Sequence, residues 1–208
     1  MVLNYLNDPN TLIISFIVMI FALIFHNIAQ SWVASRYGDN SPRFSGFMNF
    51  DPQQQLEPIG VVLLALLGFG WPKTVPINSR QYKGKQEAVV WYAGPLSYLI
   101  VGFASVLVGS VFLAFGEQAL YRSFLIAGSF AVLHAIINLF PVYPLDGARA
   151  AMAWGNRDVR NFIQQIASYG LIGFIVIFFL LSFTGIIGRL QFFFLQVFRN
   201  IISLIPGL

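Results

Sequence analysis

The chain has 208 residues, 57% of them hydrophobic and 10% charged, with a formal charge of +4 and a mean hydropathy of +0.73. A soluble domain carries about 25% charged residues, so an ordinary soluble fold is excluded. With no cysteine, so are a disulfide framework, a thiolate metal site and a cysteine nucleophile, and without a basic stripe the modest charge reflects loop topology, not nucleic-acid binding.

Four apolar runs are long enough for a bilayer core, which takes about 20 residues per helix. They are Leu12 to Arg36, Glu87 to Phe115, Leu120 to Phe140 and Phe162 to Phe183. Residues 1–9 lack the basic stretch of a signal peptide, so the first run is expected to stay in the mature chain. It contains Phe25-His26-Asn27-Ile28-Ala29-Gln30. A zincin helix uses H-E-x-x-H: two histidines at i and i+4 on one face, with the glutamate between them as general base. Here His26 stands, Asn27 holds the glutamate position and Gln30 that of the second histidine. His26 is open to two readings, a metal ligand or a hydrogen bond between helices. Asn27 and Gln30 read as polar glue, worth under about 2 kcal/mol each.

Glu57 to Gly70 is apolar but short, which suits a re-entrant or interfacial segment. If it spans, the twelve Lys and Arg divide seven against five between the two sides. If it does not, Arg36, Arg43, Lys73, Arg80, Lys83, Lys85, Arg149, Arg157 and Arg160 share one side, and Arg122, Arg189 and Arg199 the other. The positive-inside rule selects the second arrangement. It puts the N-terminus outside and brings the ends of the first and third long helices, with His26 and Asp146, to the same cytoplasmic side.

After the third run come Asn138, Pro141, Pro144, Asp146 and Gly147. Each proline removes a backbone donor and disfavours helix before it, so Asn138–Asp146 is predicted to be unwound. Such backbone survives at membrane depth only when buried in protein or facing water. Asp146 either joins His26 in a site, caps a helix start or pairs with a nearby arginine. His134, the other histidine, either bonds a neighbouring helix or replaces the missing ligand. Asp8, Asp39, Asp51 and Asp158 fall in loops and need no function. From Ile186 onward, Arg189, Gln196, Arg199 or Asn200, and Ser203 recur at helical spacing. That predicts an amphipathic helix, lying in the interface or packed against a partner.

The order of these segments resembles the site-2 protease family of intramembrane zinc metallopeptidases. The resemblance runs from residue 15 to 155 and rests on five segments. They are Phe25–Ala34, Arg36–Asp39, Gly68–Asn78, Ala93–Ser97 and Asn138–Gly147. It implies an all-α, polytopic helical membrane protein in one domain, 1–208. A site-2-protease-like core fills 12–160, and an added transmembrane helix and an amphipathic helix fill 161–208. In the family, two histidines and an aspartate ligate zinc, and the glutamate activates the bound water. Carried over, His26 and Asp146 remain as vestigial metal positions. Gln30 replaces a ligand by a neutral amide, Asn27 replaces the base, and no catalytic set is intact. Asn138, Pro141, Pro144 and Gly147 keep the loop that presents Asp146. Tyr98 stands where the family has asparagine. The implied protein is a catalytically inactive homologue, a scaffold, adaptor or subunit of a larger complex that binds transmembrane partners in the lipid bilayer. It needs no cofactor, zinc being the metal if one is bound. The alternative is an active intramembrane metalloendopeptidase with an altered zinc site. A channel or transporter would need polar residues along several helices, and the runs lack them.

Overall fold

The computed structural model describes residues 5–208, with the backbone alone at 171, 174 and 175. Helix α1 (Pro9–Arg36) begins where the Asp8 side chain accepts from the Thr11 N–H at 3.1 Å and Pro9 occupies the first turn. Its 28 residues extend about 42 Å, enough to cross a bilayer core. It ends at Arg36, where the sequence places its end. Two single turns follow, α2 (Ser41–Phe44) and α3 (Pro52–Gln55), then α4 (Pro58–Leu67). At ten residues, about 15 Å, α4 is too short to span. The chain returns in extended form, tied to the residues before α4 by the antiparallel bridge Leu56–Pro72 and by Lys73 N–H donating to Gln55 O at 2.8 Å.

Two long helices come next, α5 (Gln86–Ala114) and α6 (Gln118–Leu139). A three-residue turn makes them antiparallel. With α1 they are the helices long and apolar enough to cross a membrane. The protein is an all-α, polytopic integral membrane protein. Met19 and Leu23 of α1 pack with Tyr98 and Val101 of α5 and Ala131 and Ala135 of α6, all buried. Thr11 and Ser123 hydroxyls meet at 2.8 Å at the other end, so α1 and α6 run the same way. The C-terminal ends of α1 and α6 therefore share one end of the bundle with the start of α5.

Beyond α6 the chain leaves the helix at Phe140 and re-enters it in α7 (Asp146–Trp154). The unwound stretch is shorter than predicted, because Asn138 stays in the last turn of α6 and its amide donates to His134 O at 2.9 Å. The fourth apolar run is not one helix. It divides into α8 (Arg157–Ser168) and α9 (Gly170–Phe183), with Tyr169 between them and Gly170, the first residue of α9, at φ +58°. The reason is the charge and amide content of residues 157–165, which gives α8 a strongly polar face that a lipid core would not accept. What has the length to span instead is Val176–Phe183 together with α10 (Ile186–Ile202), bent by 65°. The amphipathic α10 packs on its own chain: Ile187, Phe198 and Ile202 are buried against Val106, Val132 and Ile136. Gln191 of α10 donates to the Ser129 carbonyl and hydroxyl oxygens, both at 2.8 Å.

Asp39, set aside as a loop residue in the sequence, is buried and ties the end of α1 to the segment before α5. Its carboxylate accepts from Ser41 N–H at 3.0 Å, Asn78 N–H at 2.8 Å and Tyr82 O–H at 2.7 Å. Burial pushes the carboxyl up, but these donors outweigh it and hold the pKa below its ordinary 3.8. Burial, then the Asp39 carboxylate, pushes the Tyr82 phenol up, so it stays a donor through the neutral range. A depressed carboxyl pKa contributes stability above its unfolded value, about 3.9, that is lost as pH falls through the folded value. Acid below about pH 4 should therefore open residues 37–82 to protease. Asp39→Ala should do so at neutral pH, at a cost on the order of 2 kcal/mol. Equal proteolysis of wild type and variant at neutral pH would contradict this.

Candidate functional site

The three polar residues near the end of α1 and the aspartate opening α7 converge. His26 and Gln30 lie one helical turn apart on one face of α1, and Asn27 flanks them. All three are buried, as is Asp146. One carboxylate oxygen, Asp146 Oδ2, takes both the His26 Nε2 contact at 2.6 Å and the Gln30 Nε2 donor at 3.0 Å. Gln30 Nε2 also donates to Trp91 O of α5 at 3.2 Å. Both partners of that nitrogen are acceptors, which fixes the orientation of the amide. Asn27 faces the other way. Its Nδ2 donates to Lys73 O at 2.9 Å and Gln55 O at 3.3 Å, and its Oδ1 meets His26 Nδ1 at 3.1 Å. The side chain at the zincin base position thus pins the two extended segments around α4 to α1.

Two glycines permit this approach. A Cβ on Gly94 would collide with the His26 and Gln30 side chains, so only glycine lets α5 lie against that face of α1. A Cβ on Gly147 would strike the Leu139 and Phe140 carbonyls, so only glycine lets α7 start close to the end of α6. Leu145, not Asp146, is the N-cap of α7. The Asp146 side chain does not cap the helix; it reaches across to α1.

His134 does not join the site. Its Nδ1 donates to Phe130 O at 2.8 Å and its Nε2 accepts from Gly70 N–H at 3.2 Å, so both ring nitrogens are engaged. It bonds a loop after α4 where the sequence suggested a helix. Tyr98 is fully buried, its ring 4.9 Å from that of His26 and 5.7 Å from that of His134. Its hydroxyl has no hydrogen-bond partner among the described residues. A cavity of about 240 Å³ opens beside these groups, lined among others by His26, Asn27, Trp71, Thr74, Asp146 and Arg149. Asn138 and Pro144 also reach it. Among the described residues, no three His, Cys, Asp or Glu side chains converge as a metal-holding group.

Gln55 was missed in the sequence. It is fully buried, its side-chain amide N–H groups donate to Phe47 O at 3.0 Å and Asn49 O at 2.8 Å, and its backbone carbonyl takes the Asn27 and Lys73 donors. In a Pro-Gln-Gln-Gln stretch nothing local marks which glutamine turns inward.

The chain is 32% identical over 171 residues to a Bacillus subtilis protein named "Putative zinc metalloprotease YwhC", covering 78% of each chain. It belongs to the site-2 protease family. More distant relatives carry the name "Putative zinc metalloprotease Rip2". That of Mycolicibacterium smegmatis is 24% identical over 165 residues, 75% of this chain and 62% of the relative. That of Mycobacterium tuberculosis is 21% identical over 175 residues, 79% of this chain and 66% of the relative. No family model matches the chain, and no solved structure does. In this family member, His26 and Asp146 lie within hydrogen-bond distance across 120 residues of sequence.

Proposed function

We propose that this chain is a site-2 protease homologue that holds a transmembrane partner without cleaving it, as a scaffold, adaptor or subunit of a membrane complex. The observation that carries the proposal is the use made of positions 27 and 30. Asn27 has no carboxylate to take a proton from water, and its amide donates to Lys73 O and Gln55 O. Gln30 presents an N–H donor, not a lone pair, to Asp146.

The family implies zinc, and these donors do not fit it. A catalytic zinc takes three protein ligands and leaves one position for water. His26 and Asp146 supply one imidazole and one carboxylate. Gln30 would have to turn its amide over, losing its bonds to Asp146 and Trp91 O, to offer a weak neutral oxygen. What remains is a binding site: a cavity of about 240 Å³ with Trp71 half-exposed on its rim.

A photo-crosslinking residue at Trp71, in the full chain in its native membrane, tests the reading. It should capture one transmembrane protein at its uncut length. The same probe at Phe115, on the opposite end of the bundle and 79% exposed, should not. Equal capture at both positions, or recovery of a shortened product at Trp71, would overturn it. The second reading is an active metalloendopeptidase. It draws support from the 32% identity to YwhC and from the short His26–Asp146 distance.

A further inference from the structure

At the end of the bundle that holds His26, the cations have no acidic partners. Among the described residues, the contact between groups of opposite charge type is His26 with Asp146, and no Lys or Arg lies within salt-bridge distance of an Asp or Glu. Three cations lie over tryptophan rings instead: Arg36 over Trp32 at 4.6 Å, Lys85 over Trp154 at 4.2 Å and Arg149 over Trp91 at 4.7 Å. All four tryptophans of the chain, Trp71 included, sit toward this end, where nine of the twelve Lys and Arg also fall. Tryptophan at headgroup level beside Lys and Arg is the composition of a membrane–water interface on its anionic side.

One place among these groups is a recess. α5, α7 and α8 flank an open recess of about 360 Å³ next to the His26 cavity, with which it shares Trp91 and Arg149; Glu87, Met152, Ala153 and Arg160 complete its lining. Its two guanidinium groups are each only partly engaged. Arg149 lies over the Trp91 ring, with one terminal nitrogen 3.5 Å from Thr74 Oγ1. Stacking engages the face of the guanidinium and leaves most of its in-plane N–H donors available. Arg160 donates through Nε to Gly155 O at 3.2 Å, which holds the side chain and leaves its terminal nitrogens available. Glu87, the acid in the recess, accepts from Ser79 Oγ at 2.8 Å and from Trp91 Nε1 at 3.3 Å through one oxygen. The recess thus carries two cations against one engaged anion. α8 contributes Arg160 to its rim, and the same helix exposes Val159 and Phe162.

We propose that this recess binds the phosphate headgroup of an anionic phospholipid from the adjoining leaflet. The forked donors of Arg149 and Arg160 match phosphate oxygens, and the exposed apolar residues of α8 adjoin the acyl chains. A bound lipid would brace α7, which carries Asp146, against α5 and α8. This inference is independent of whether the His26 site has activity.

Native mass spectrometry of the full chain in mild detergent, titrated with phosphatidylglycerol or phosphatidylcholine, provides the test. Phosphatidylglycerol should be retained in preference to phosphatidylcholine. Arg149→Gln with Arg160→Gln should weaken retention at least about tenfold. The corresponding lysine pair should fall between, since it keeps the charge and loses the fork. Arg122→Gln, at the other end of the bundle, should change nothing. Should the double glutamine variant fail to fold, Arg160→Gln alone, at an exposed side chain, should still lower retention about threefold. Equal retention of the two lipids, or no loss in the variants, would overturn the proposal. Displacement of the lipid by inorganic phosphate at equal concentration would reassign the recess to a free anion and also overturn it.

Discussion

Purified wild-type protein, incubated in detergent with added zinc and a panel of transmembrane peptides, is expected to leave the peptides intact and to bind zinc sub-stoichiometrically. The double replacement Asn27→Glu with Gln30→His is expected to raise zinc occupancy. Gln30 supplies an amide N–H to Asp146, whereas a histidine there would offer an imidazole, the donor zinc favours. The missing base is worth about 10²–10⁴-fold in rate by itself. Full turnover is not expected from the double replacement. A carboxylate at position 27 would face the Lys73 and Gln55 carbonyls that now accept from the Asn27 amide, and Tyr98 fills the space beside His26. Chelator-sensitive cleavage by the wild type, abolished by Asp146→Ala, would replace the binding function with the active metalloendopeptidase.

Asp146→Ala should also be among the most destabilising single changes in the chain. Asp146 Oδ2 is the shared partner of His26 Nε2 and Gln30 Nε2, and all three side chains are buried. Removing the carboxylate leaves His26 Nε2 without a partner and Gln30 Nε2 with the Trp91 carbonyl alone. The expected loss is on the order of 3 kcal/mol. Asp146→Asn keeps one oxygen acceptor and should lose less. Thermal unfolding in detergent, followed by circular dichroism, measures the difference. An alanine variant within about 0.5 kcal/mol of wild type, the range of ordinary surface changes, would mean that the carboxylate does not hold α7 to α1.

The structure also alters which experiments are informative. From the sequence, deleting residues from Ile186 onward is expected to weaken association with a partner while leaving the core folded, because no family motif lies there. In the fold, Ile187, Phe198 and Ile202 are buried against α5 and α6. Such a deletion would expose the bundle and would not isolate a partner-binding role.

Much of the fold was legible because the bilayer imposes simple requirements. About 20 apolar residues make a span, and the loop cations select the orientation. Those two rules located α1, α5 and α6, kept α4 from spanning, and brought His26 and Asp146 to one end. The prolines after Asn138 foretold the break before Asp146, though two residues too early, since the side chain of Asn138 bonds back to its own helix. The fourth run misled because a long apolar stretch can hide polar residues gathered on one face. α8 has such a face and the apolar α9 does not, so one run became two helices.

By itself, the sequence determined the membrane class, the family motifs and the chemistry absent at positions 27 and 30, since these depend on residue type and local spacing. Tertiary structure decided which groups those residues meet. Gln30 donates to the same carboxylate oxygen that His26 contacts, Asn27 pins the loops around α4, and His134 holds Gly70 instead of entering the site. It also made buried anchors of Asp39, read from the sequence as a loop residue, and of Gln55, which nothing in the sequence marked. The physical reason is distance along the chain. A hydrogen bond between residues 26 and 146 depends on three helices packing at a glycine contact, and no local pattern in either segment encodes which partner the other will bring.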